Sequence, residues 1–303
     1  MSLSKENIKY WWKMIRGKSL YHVNQDEGQF YSFNEIKGYY NDLTQKVLLD
    51  QKHYLSIDPF EIKSDGKTFF FPIAIFQYGL ACYDLLLKGT DKELMLSKFK
   101  SFVEWAFLNQ NVNGSWDNFA IAIPKHPYSA MAQGEGASLL IRGYIQFGCP
   151  QYLVAAKKAI DFMLISLEKG GTADYSNDGL VLFEFTNGPF VFNGWMFAIF
   201  GLMDLYILEH DLSIKQILNK TISSFEKALP KMDNGYWSMY RNDKTIASPF
   251  YHRLHIAQLS VLAKYTQIPL FQNYHDRFVK YQSKFWNRKK AFFKKAFQKI
   301  TAK

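Results

Sequence analysis

From residue 69 onward, apolar residues recur at the three- and four-residue spacing that is typical of helices. These helical stretches group into four pairs, whose first members begin at residues 72, 128, 189 and 249. The starts are separated by 56, 61 and 60 residues, so the pattern indicates one repeated structural unit. The predicted helices span residues 72–88, 91–110, 128–147, 151–168, 189–209, 212–229, 249–265 and 269–286.

The two helices of each pair differ in how their apolar residues are distributed. The second helix is amphipathic, as shown in the first pair by the stripe Met95, Phe99, Phe102, Val103 and Ala106. The first helix is apolar nearly all round, as in residues 190–203, which predicts burial on both sides. One-sided outer helices around two-sided inner helices predict a mainly α fold, an α/α toroid of about four helix pairs. An ordinary helix bundle is the alternative.

Residues 1–66 lack this helical period and contain strand-like pieces at residues 29–33 and 54–57. The predicted domain organisation is therefore a small mixed or β N-terminal region at 1–66, a helical domain at 67–280 and a basic tail at 281–303.

The most apolar run, residues 194–203, is too short to span a bilayer and predicts a buried helix. The two cysteines, Cys82 and Cys149, exclude a disulfide framework and fit a reducing compartment.

The positive charge is concentrated at the C-terminal end. The formal net charge is +10, and residues 281–303 contain eight lysines and arginines and no acid, which leaves +2 for the rest. The body is therefore nearly neutral, and we expect no nucleic-acid partner. With no apolar leader at the N-terminus, we expect a cytoplasmic protein whose tail, residues 285–303, lies on the anionic inner face of a membrane. Packing of the tail's aromatic stripe on the body is the alternative. The stripe is Phe285, Phe292, Phe293, Phe297 and Ile300, with Lys289, Lys290, Lys294 and Lys295 between its members.

Amide side chains recur near the starts of the inner helices, at Gln77, Gln133, Asn193 and Gln258. Amides at one level of an inner ring would present hydrogen-bonding groups to a substrate. The alternative is that they satisfy neighbouring backbone groups, while the adjacent glycines allow close helix packing.

The densest polar cluster is Tyr251-His-Arg-Leu-His255, preceded by Tyr240-Arg241. His252 and His255 would lie one helical turn apart, but no third metal ligand is evident, so we expect no metal site. A tyrosine beside positive charge can act as a base, because that charge lowers the pKa of the phenol. A second cluster places Glu135 and Arg142 in an apolar helix, where a structural ion pair between them is the alternative to substrate binding. A third places Glu184 shortly before Asn193.

These clusters, in this order, resemble the C-terminal helical domain of the D-glucuronyl C5-epimerases. The resemblance covers roughly residues 70–280 and rests on Ser129-Ala-Met-Ala-Gln-Gly, Asn193-Gly-Trp, Trp237-Ser-x-Tyr240 and Tyr251-His-x-x-His255. It implies an α/α toroid and an isomerase that converts glucuronate to iduronate within a polymer, without an organic cofactor. It also implies that Tyr240 and Tyr251 are catalytic, one on each side of the sugar, and that Glu184 and Asn193 lie in the groove. This chain departs from the family at Phe185, where the family has tyrosine, and in its small N-terminal region.

Epimerisation at C5 removes a proton α to a carboxylate and returns one on the opposite face. The site therefore needs a base, an acid and a group that neutralises the carboxylate charge. Tyr240 and Tyr251 are the predicted acid and base, in either order. We expect a uronate C5-epimerase acting on an acidic, heparosan-like or capsular polysaccharide, with a polysaccharide lyase or a non-catalytic glycan-binding subunit as alternatives. The expected substrate-binding residues are Gln77, Gln133, Glu135, Arg142, Glu184, Asn193, Arg241, His252, Arg253 and His255, of which Arg241, His252, Arg253 and His255 would neutralise charge.

Overall fold

The computed structural model describes residues 23–64 and 66–301, and these residues form ten α-helices and two small hairpin sheets. The helices are α1 (Gln45–Leu48), α2 (Pro72–Lys88), α3 (Lys92–Leu108), α4 (Ala130–Phe147), α5 (Pro150–Met163), α6 (Phe192–Glu209), α7 (Leu212–Ala228), α8 (Pro249–Thr266), α9 (Pro269–Ser283) and α10 (Phe285–Thr301). Single 3₁₀ turns occur at Leu167–Lys169, Ser176–Asp178 and Leu229–Met232.

Both sheets are two-stranded and antiparallel. Strand β1 (Ile62–Ser64) pairs with β2 (Lys67–Phe69), with Ile62 opposite Phe69. Strand β3 (Ala173–Asp174) pairs with β4 (Val181–Leu182), with Ala173 opposite Leu182. The second hairpin ends just before Glu184 and therefore leads the chain into the third candidate cluster.

All four predicted helix pairs are present, as α2–α3, α4–α5, α6–α7 and α8–α9. The prediction was wrong at several ends by a few residues. Helix α4 begins at Ala130 because the Ser129 hydroxyl caps it, accepting a hydrogen bond from the Ala132 N–H at 3.4 Å. Helix α5 ends at Met163, and a short irregular segment carries the chain to β3.

Burial distinguishes the two helices of a pair as the pattern predicted. Every residue of α6 from Phe192 to Leu205 is buried, whereas α3 buries the predicted stripe of five apolar residues and exposes most of its other face. The inner helices α4 and α6 pack backbone to backbone, because a Cβ atom added to Gly134 would lie 2.7 Å from the Phe197 carbonyl oxygen. The fold is therefore mainly helical, and the arrangement of the four pairs as a toroid stays a prediction.

The strand-like pieces predicted at residues 29–33 and 54–57 are wrong. Neither piece forms a strand, and the nearest pairing is a single antiparallel bridge between Glu27 and Asn41. Their aromatic side chains pack on helices and on each other, with the Phe33 and Tyr265 ring centroids 5.3 Å apart. An alternating pattern forms a strand only when a neighbouring strand accepts its hydrogen bonds, and helices occupy that position here.

The C-terminal helix α10 packs on the loop between α7 and α8. Ala291 is completely buried with Trp237, and the Gln298 side chain accepts from the Ile246 N–H at 3.0 Å. Phe285, Phe293 and Phe297 of the aromatic stripe are exposed, whereas Phe292 is half-buried, so the alternative that the stripe packs on the body does not hold for these three residues. Among the described residues, no helix is long and apolar enough to cross a membrane.

Candidate active site

Two loops meet the N-terminal ends of the inner helices α4 and α6. The Ala130 N–H donates to the Phe183 carbonyl at 2.8 Å, which ties the loop carrying Glu184 to the start of α4. The Phe192 N–H donates to the Tyr240 carbonyl at 3.0 Å, which ties the other loop to the start of α6. The chain therefore brings Glu184 and Tyr240, which are distant in sequence, to the same end of the helical body.

Glycine at position 194 allows the Glu184 carboxyl group to lie directly against α6. A Cβ atom at that position would collide with the Glu184 side chain, including its Cβ atom at 2.8 Å. Any larger residue at 194 would displace the carboxyl group from the helix N-terminus. This contact explains the Asn-Gly pair at the start of α6 as part of the site rather than of helix packing alone.

Tyr240 and Tyr251 are in direct contact. Their ring centroids are 4.5 Å apart, with the planes tilted by 42°, so the two rings pack against each other. Burial raises the pKa of Tyr240 well above that of an ordinary phenol, and the neighbouring Tyr251 and Glu184 raise it further, while Arg241 opposes the shift. Tyr240 therefore holds its proton at neutral pH.

Two cationic side chains border the tyrosine pair. The Lys295 ammonium of α10 lies 5.3 Å from the centroid of the Tyr240 ring and donates to the Ile246 carbonyl at 2.8 Å. The Arg241 guanidinium contacts Asp243 at 2.7 Å, while its Nε atom is buried without an acceptor in the described part of the chain. Positive charge therefore lies near Tyr240, where it can stabilise the negative charge that develops when a proton next to a carboxylate is removed.

Glu184 and Glu135 are two buried carboxyl groups that lie close enough to interact electrostatically. Glu184 is 7% exposed, and burial raises its pKa to about 8 against the opposing effect of Arg241. Glu135 is completely buried, accepts a hydrogen bond from Gln77 at 2.8 Å, and has its pKa raised well above the usual value, again by burial. Both carboxyl groups are therefore predominantly protonated at neutral pH and can donate hydrogen bonds.

The inner-helix amides divide between the two predicted roles. The Gln133 side chain satisfies backbone groups, because its amide donates to the Gly114 and Ala159 carbonyls and accepts from the Trp116 N–H. Asn193 and Gln258 instead keep buried side-chain oxygens that find no donor within residues 23–64 and 66–301. Both residues are buried, and their role in binding sugar hydroxyls stays a prediction.

The prediction that His252 and His255 neutralise charge is wrong. Both are completely buried, and burial lowers the pKa of His252 to about 3 and that of His255 well below the usual value. Both rings are therefore neutral at physiological pH. Each Nδ1 atom lies 2.8 Å from the Ser238 hydroxyl, and His252 Nε2 donates to the Phe278 carbonyl at 3.1 Å. The pair holds the Tyr240 loop against α8 and α9.

Arg253 and Arg142 lie in structural ion pairs. Arg253 contacts Asp26 of the N-terminal segment at 2.6 Å on the exposed side of α8. Arg142 pairs with Asp204 of α6 at 2.6 Å, so the alternative pairing with Glu135 is wrong. A two-turn separation along α4 favours that pairing in the sequence, but Asp204 comes from a neighbouring helix that only the fold brings close.

Sequence reasoning missed two residues of the site. Lys295 was assigned only to the membrane-facing tail, and no local pattern indicates that α10 folds back over Tyr240. Ser238 stands between Trp237 and Met239 without any spacing signal, yet its hydroxyl lies within hydrogen-bond distance of both histidines.

Phe185, which replaces the tyrosine expected from the resemblance, stacks on Phe119 with ring centroids 4.6 Å apart. Among the described residues, no group of three or more His, Cys, Asp or Glu side chains is placed to hold a metal ion.

A polar site with paired phenols, protonated carboxyl groups and adjacent cations is typical of an enzyme that moves protons. The family model for the C-terminus of D-glucuronyl C5-epimerase matches residues 112–280, more than half of the chain. The chain therefore belongs to the D-glucuronyl C5-epimerase C-terminal domain family. It is 26% identical to the D-glucuronyl C5-epimerase of Caenorhabditis elegans, in an alignment covering 60% of this chain and 34% of that protein. The chain thus spans about a third of the length of this curated relative.

Proposed function

We propose that this protein is a uronate C5-epimerase that acts on a glucuronate-containing polysaccharide. The observation that carries the proposal is the contact between the Tyr240 and Tyr251 rings beside the protonated Glu184 and the cationic Arg241. Family membership supports the same reaction. Residues 67–280 would form the catalytic α/α toroid, with 1–66 as a small N-terminal region and 281–303 as a basic tail.

In the proposed mechanism, Arg241 and the Glu184 O–H bind the carboxylate of the reacting sugar. Their charge and hydrogen bond stabilise the enediolate that forms when the C5 proton leaves. Tyr251, as phenolate, takes that proton, and the C5–H electron pair moves into the C5–C6 bond. Tyr240 then donates its proton to C5 from the opposite face, the C5=C6 electron pair forms the new C5–H bond, and an oxygen lone pair of the enediolate re-forms the C=O bond of the carboxylate. The raised pKa of Tyr240 favours its role as the group that holds the proton before turnover.

Inversion requires the two phenols to act on opposite faces, so the reacting sugar would enter between them and separate the two rings. After one turnover in the glucuronate-to-iduronate direction, Tyr251 carries a proton and Tyr240 lacks one. When the product leaves, the two phenols meet again, and the proton passes from Tyr251 to Tyr240. The contact seen between the rings thus gives the pair a direct way to return to its starting state. The reverse reaction would use the same two groups in exchanged roles.

The ratio of wild-type to Glu184→Gln kcat/KM is expected to fall as the pH rises above about 8, because only the wild-type protein loses the proton that Glu184 donates to the substrate carboxylate. At pH 9 we expect this ratio to be about tenfold below its value at pH 7, because ionisation of the Tyr251 base affects both proteins equally. Glu184→Gln keeps a donor that does not ionise, so its alkaline decline should begin at higher pH. The measurement is kcat/KM for C5 exchange between pH 6 and 10.

Glu168→Gln, at an exposed carboxyl in the 3₁₀ turn after α5, is the matched control and should keep the wild-type profile. An alkaline decline at the same pH in Glu184→Gln and the wild type would exclude Glu184 as the titrating donor.

We also propose that α10 attaches the protein to an anionic membrane surface. Trp286, Phe293 and Phe297 are 77%, 65% and 65% exposed, and their seven- and four-residue spacing places them on one face of the helix. The opposite face carries Ala291, which is buried against the body. Exposed lysines flank the aromatic face, which is the pattern of helices that lie in the headgroup region. These lysines are Lys289, Lys290 and Lys294.

The triple substitution Trp286→Ser, Phe293→Ser and Phe297→Ser is expected to weaken binding to phosphatidylglycerol-containing vesicles at least about tenfold, because it removes most of the exposed apolar surface of α10. Co-sedimentation at low and high salt measures the effect, and salt should weaken wild-type binding. Leu108→Ser with Val112→Ser, at two exposed apolar sites away from α10, should change little. Equal binding of the triple variant, or equal binding to uncharged phosphatidylcholine vesicles, would contradict the proposal.

A further inference from the structure

A cavity of about 440 Å³ lies between α1, the start of α2 and the β1–β2 hairpin. Its lining includes two acids, three lysines and several uncharged side chains. Among the lining residues are Lys46, Lys52, His53, Phe60, Lys63 and Tyr78. None of Tyr240, Tyr251, Glu184 or Arg241 borders it. The volume falls within the range of sites that hold small molecules or single sugar units.

Lys46 is a largely buried lysine whose side chain lines this cavity. The residue is 8% exposed, and within the described ranges its side chain makes neither a hydrogen bond nor an ion pair. Burial lowers its pKa to about 8, partly offset by its electrostatic interaction with Glu135. Lysines that are largely buried are ordinarily in an ion pair or hydrogen bond, because desolvating their charge is costly. Lys46 has no such close contact in the described residues, and an anion in the cavity would supply one.

Tyr78 adds a second polar group without a partner. Its hydroxyl is buried and makes no hydrogen bond within residues 23–64 and 66–301, although buried hydroxyls are nearly always bonded. The Phe60 ring packs edge-on against Tyr78 at 5.1 Å and stacks on His53 at 4.0 Å, which gives the cavity an apolar wall. An aromatic wall with a few converging polar groups is the usual composition of a ligand site.

The remaining charges at the cavity favour an anion with hydroxyl groups over a bare inorganic ion. Lys52 and Lys63 are exposed at the edge of the cavity. Two acids, Asp50 and Glu61, also line it, and Asp50 accepts from His53 Nδ1 at 2.8 Å. A carboxylate would bind Lys46, while hydroxyls on the same molecule could donate to the acids. A sugar acid combines both features.

We propose that this cavity is a second saccharide subsite, in which Lys46 and Tyr78 bind the carboxylate of a uronate unit that does not react. The identification of that unit as part of the substrate polymer rests on the proposed function, whereas the preference for a sugar acid rests on the cavity itself. Binding at two places along one polymer would hold the reacting sugar at the tyrosine pair and would select for chains over single sugars.

The test is calorimetric titration with D-glucuronate and with a heparosan tetrasaccharide, using D-glucose as the uncharged probe. Lys46→Met keeps the length of the side chain and removes its charge, and we expect it to weaken binding of both acidic probes at least tenfold. Tyr78→Phe removes only the hydroxyl and should weaken them severalfold. Lys227→Met, at an exposed lysine on α7, is the matched control and should leave affinity unchanged.

Wild-type affinity in Lys46→Met, equal affinity for glucose and glucuronate, or no binding of either acidic probe to the wild-type protein would overturn the subsite. Titrations repeated in Tyr251→Phe, which leaves the cavity intact, show whether binding at the cavity is independent of the proposed epimerase reaction. Binding that depends on Lys46, without any C5 exchange in the wild type, would retain the subsite and reject the epimerase.

Discussion

Tyr251→Phe is expected to lower the rate of C5 proton exchange by about 10²–10⁴-fold, the usual contribution of a positioned general base. The substitution removes one oxygen and keeps the ring that packs 4.5 Å from Tyr240, so the fold should be unchanged. Tyr240→Phe is expected to have a comparable effect, because each direction of the reaction needs one phenol as base and the other as acid. The measurement is the initial rate of deuterium incorporation at C5.

Tyr175→Phe is the matched control, because that side chain is 42% exposed and lies outside the site. Its exchange rate should equal that of the wild type. Exchange at an undiminished rate in Tyr251→Phe would show that another group removes the C5 proton, and the roles assigned to the pair would then be wrong.

Arg142→Met is expected to lower the free energy of unfolding by about 3–5 kcal/mol, because it leaves the Asp204 carboxylate buried without its cation. All five N–H donors of Arg142 have acceptors, in Asp204, in the Ser138 carbonyl and in two carbonyls of the N-terminal segment. Asp204 also accepts from the Tyr40 hydroxyl at 2.9 Å. One guanidinium therefore joins α4, α6 and the N-terminal segment. Urea unfolding followed by circular dichroism measures the loss.

Two further variants test whether the stability cost comes from burial of the Arg142–Asp204 pair or would follow from the loss of any ion pair. Lys157→Met removes a partly exposed partner of Glu209, which contacts it at 2.6 Å, and should cost less than about 1 kcal/mol. Arg142→Met combined with Asp204→Leu removes both buried charges and should recover part of the lost stability. A cost for Arg142→Met no larger than that for Lys157→Met would contradict the structural role of Arg142.

Much of the helical architecture follows from the sequence alone. The apolar period is strong in residues 72–283 because an inner helix such as α6 is buried nearly all round and an outer helix such as α3 is buried on one side, which gives the two kinds of helix different patterns of apolar residues. The N-terminal region was harder to predict. Short alternating segments such as residues 29–33 carry no information about whether a partner strand exists, and here their rings pack on helices instead.

The site could be predicted only where the chemistry was carried by local motifs. Tyr240, Tyr251, Glu184 and Asn193 stand in such motifs, and the structure brings the two phenols into contact. His252 and His255 form an equally clear local motif, but their charge depends on burial, which the fold alone determines. Contacts between residues far apart in sequence, such as Arg142 with Asp204 or Tyr240 with Lys295, cannot be predicted from local sequence spacing.

The most direct test of the proposed chemistry is incubation with heparosan and N-sulfated heparosan in deuterated water, followed by NMR of C5 and absorbance of unsaturated sugars. The proposed mechanism predicts deuterium at C5 together with iduronate, without chain cleavage, in the wild-type protein and its loss in Tyr251→Phe. Unsaturated chain ends would instead establish a lyase. Bound polymer with neither deuterium nor unsaturated ends would contradict the proposed epimerase on these substrates and favour a glycan-binding protein.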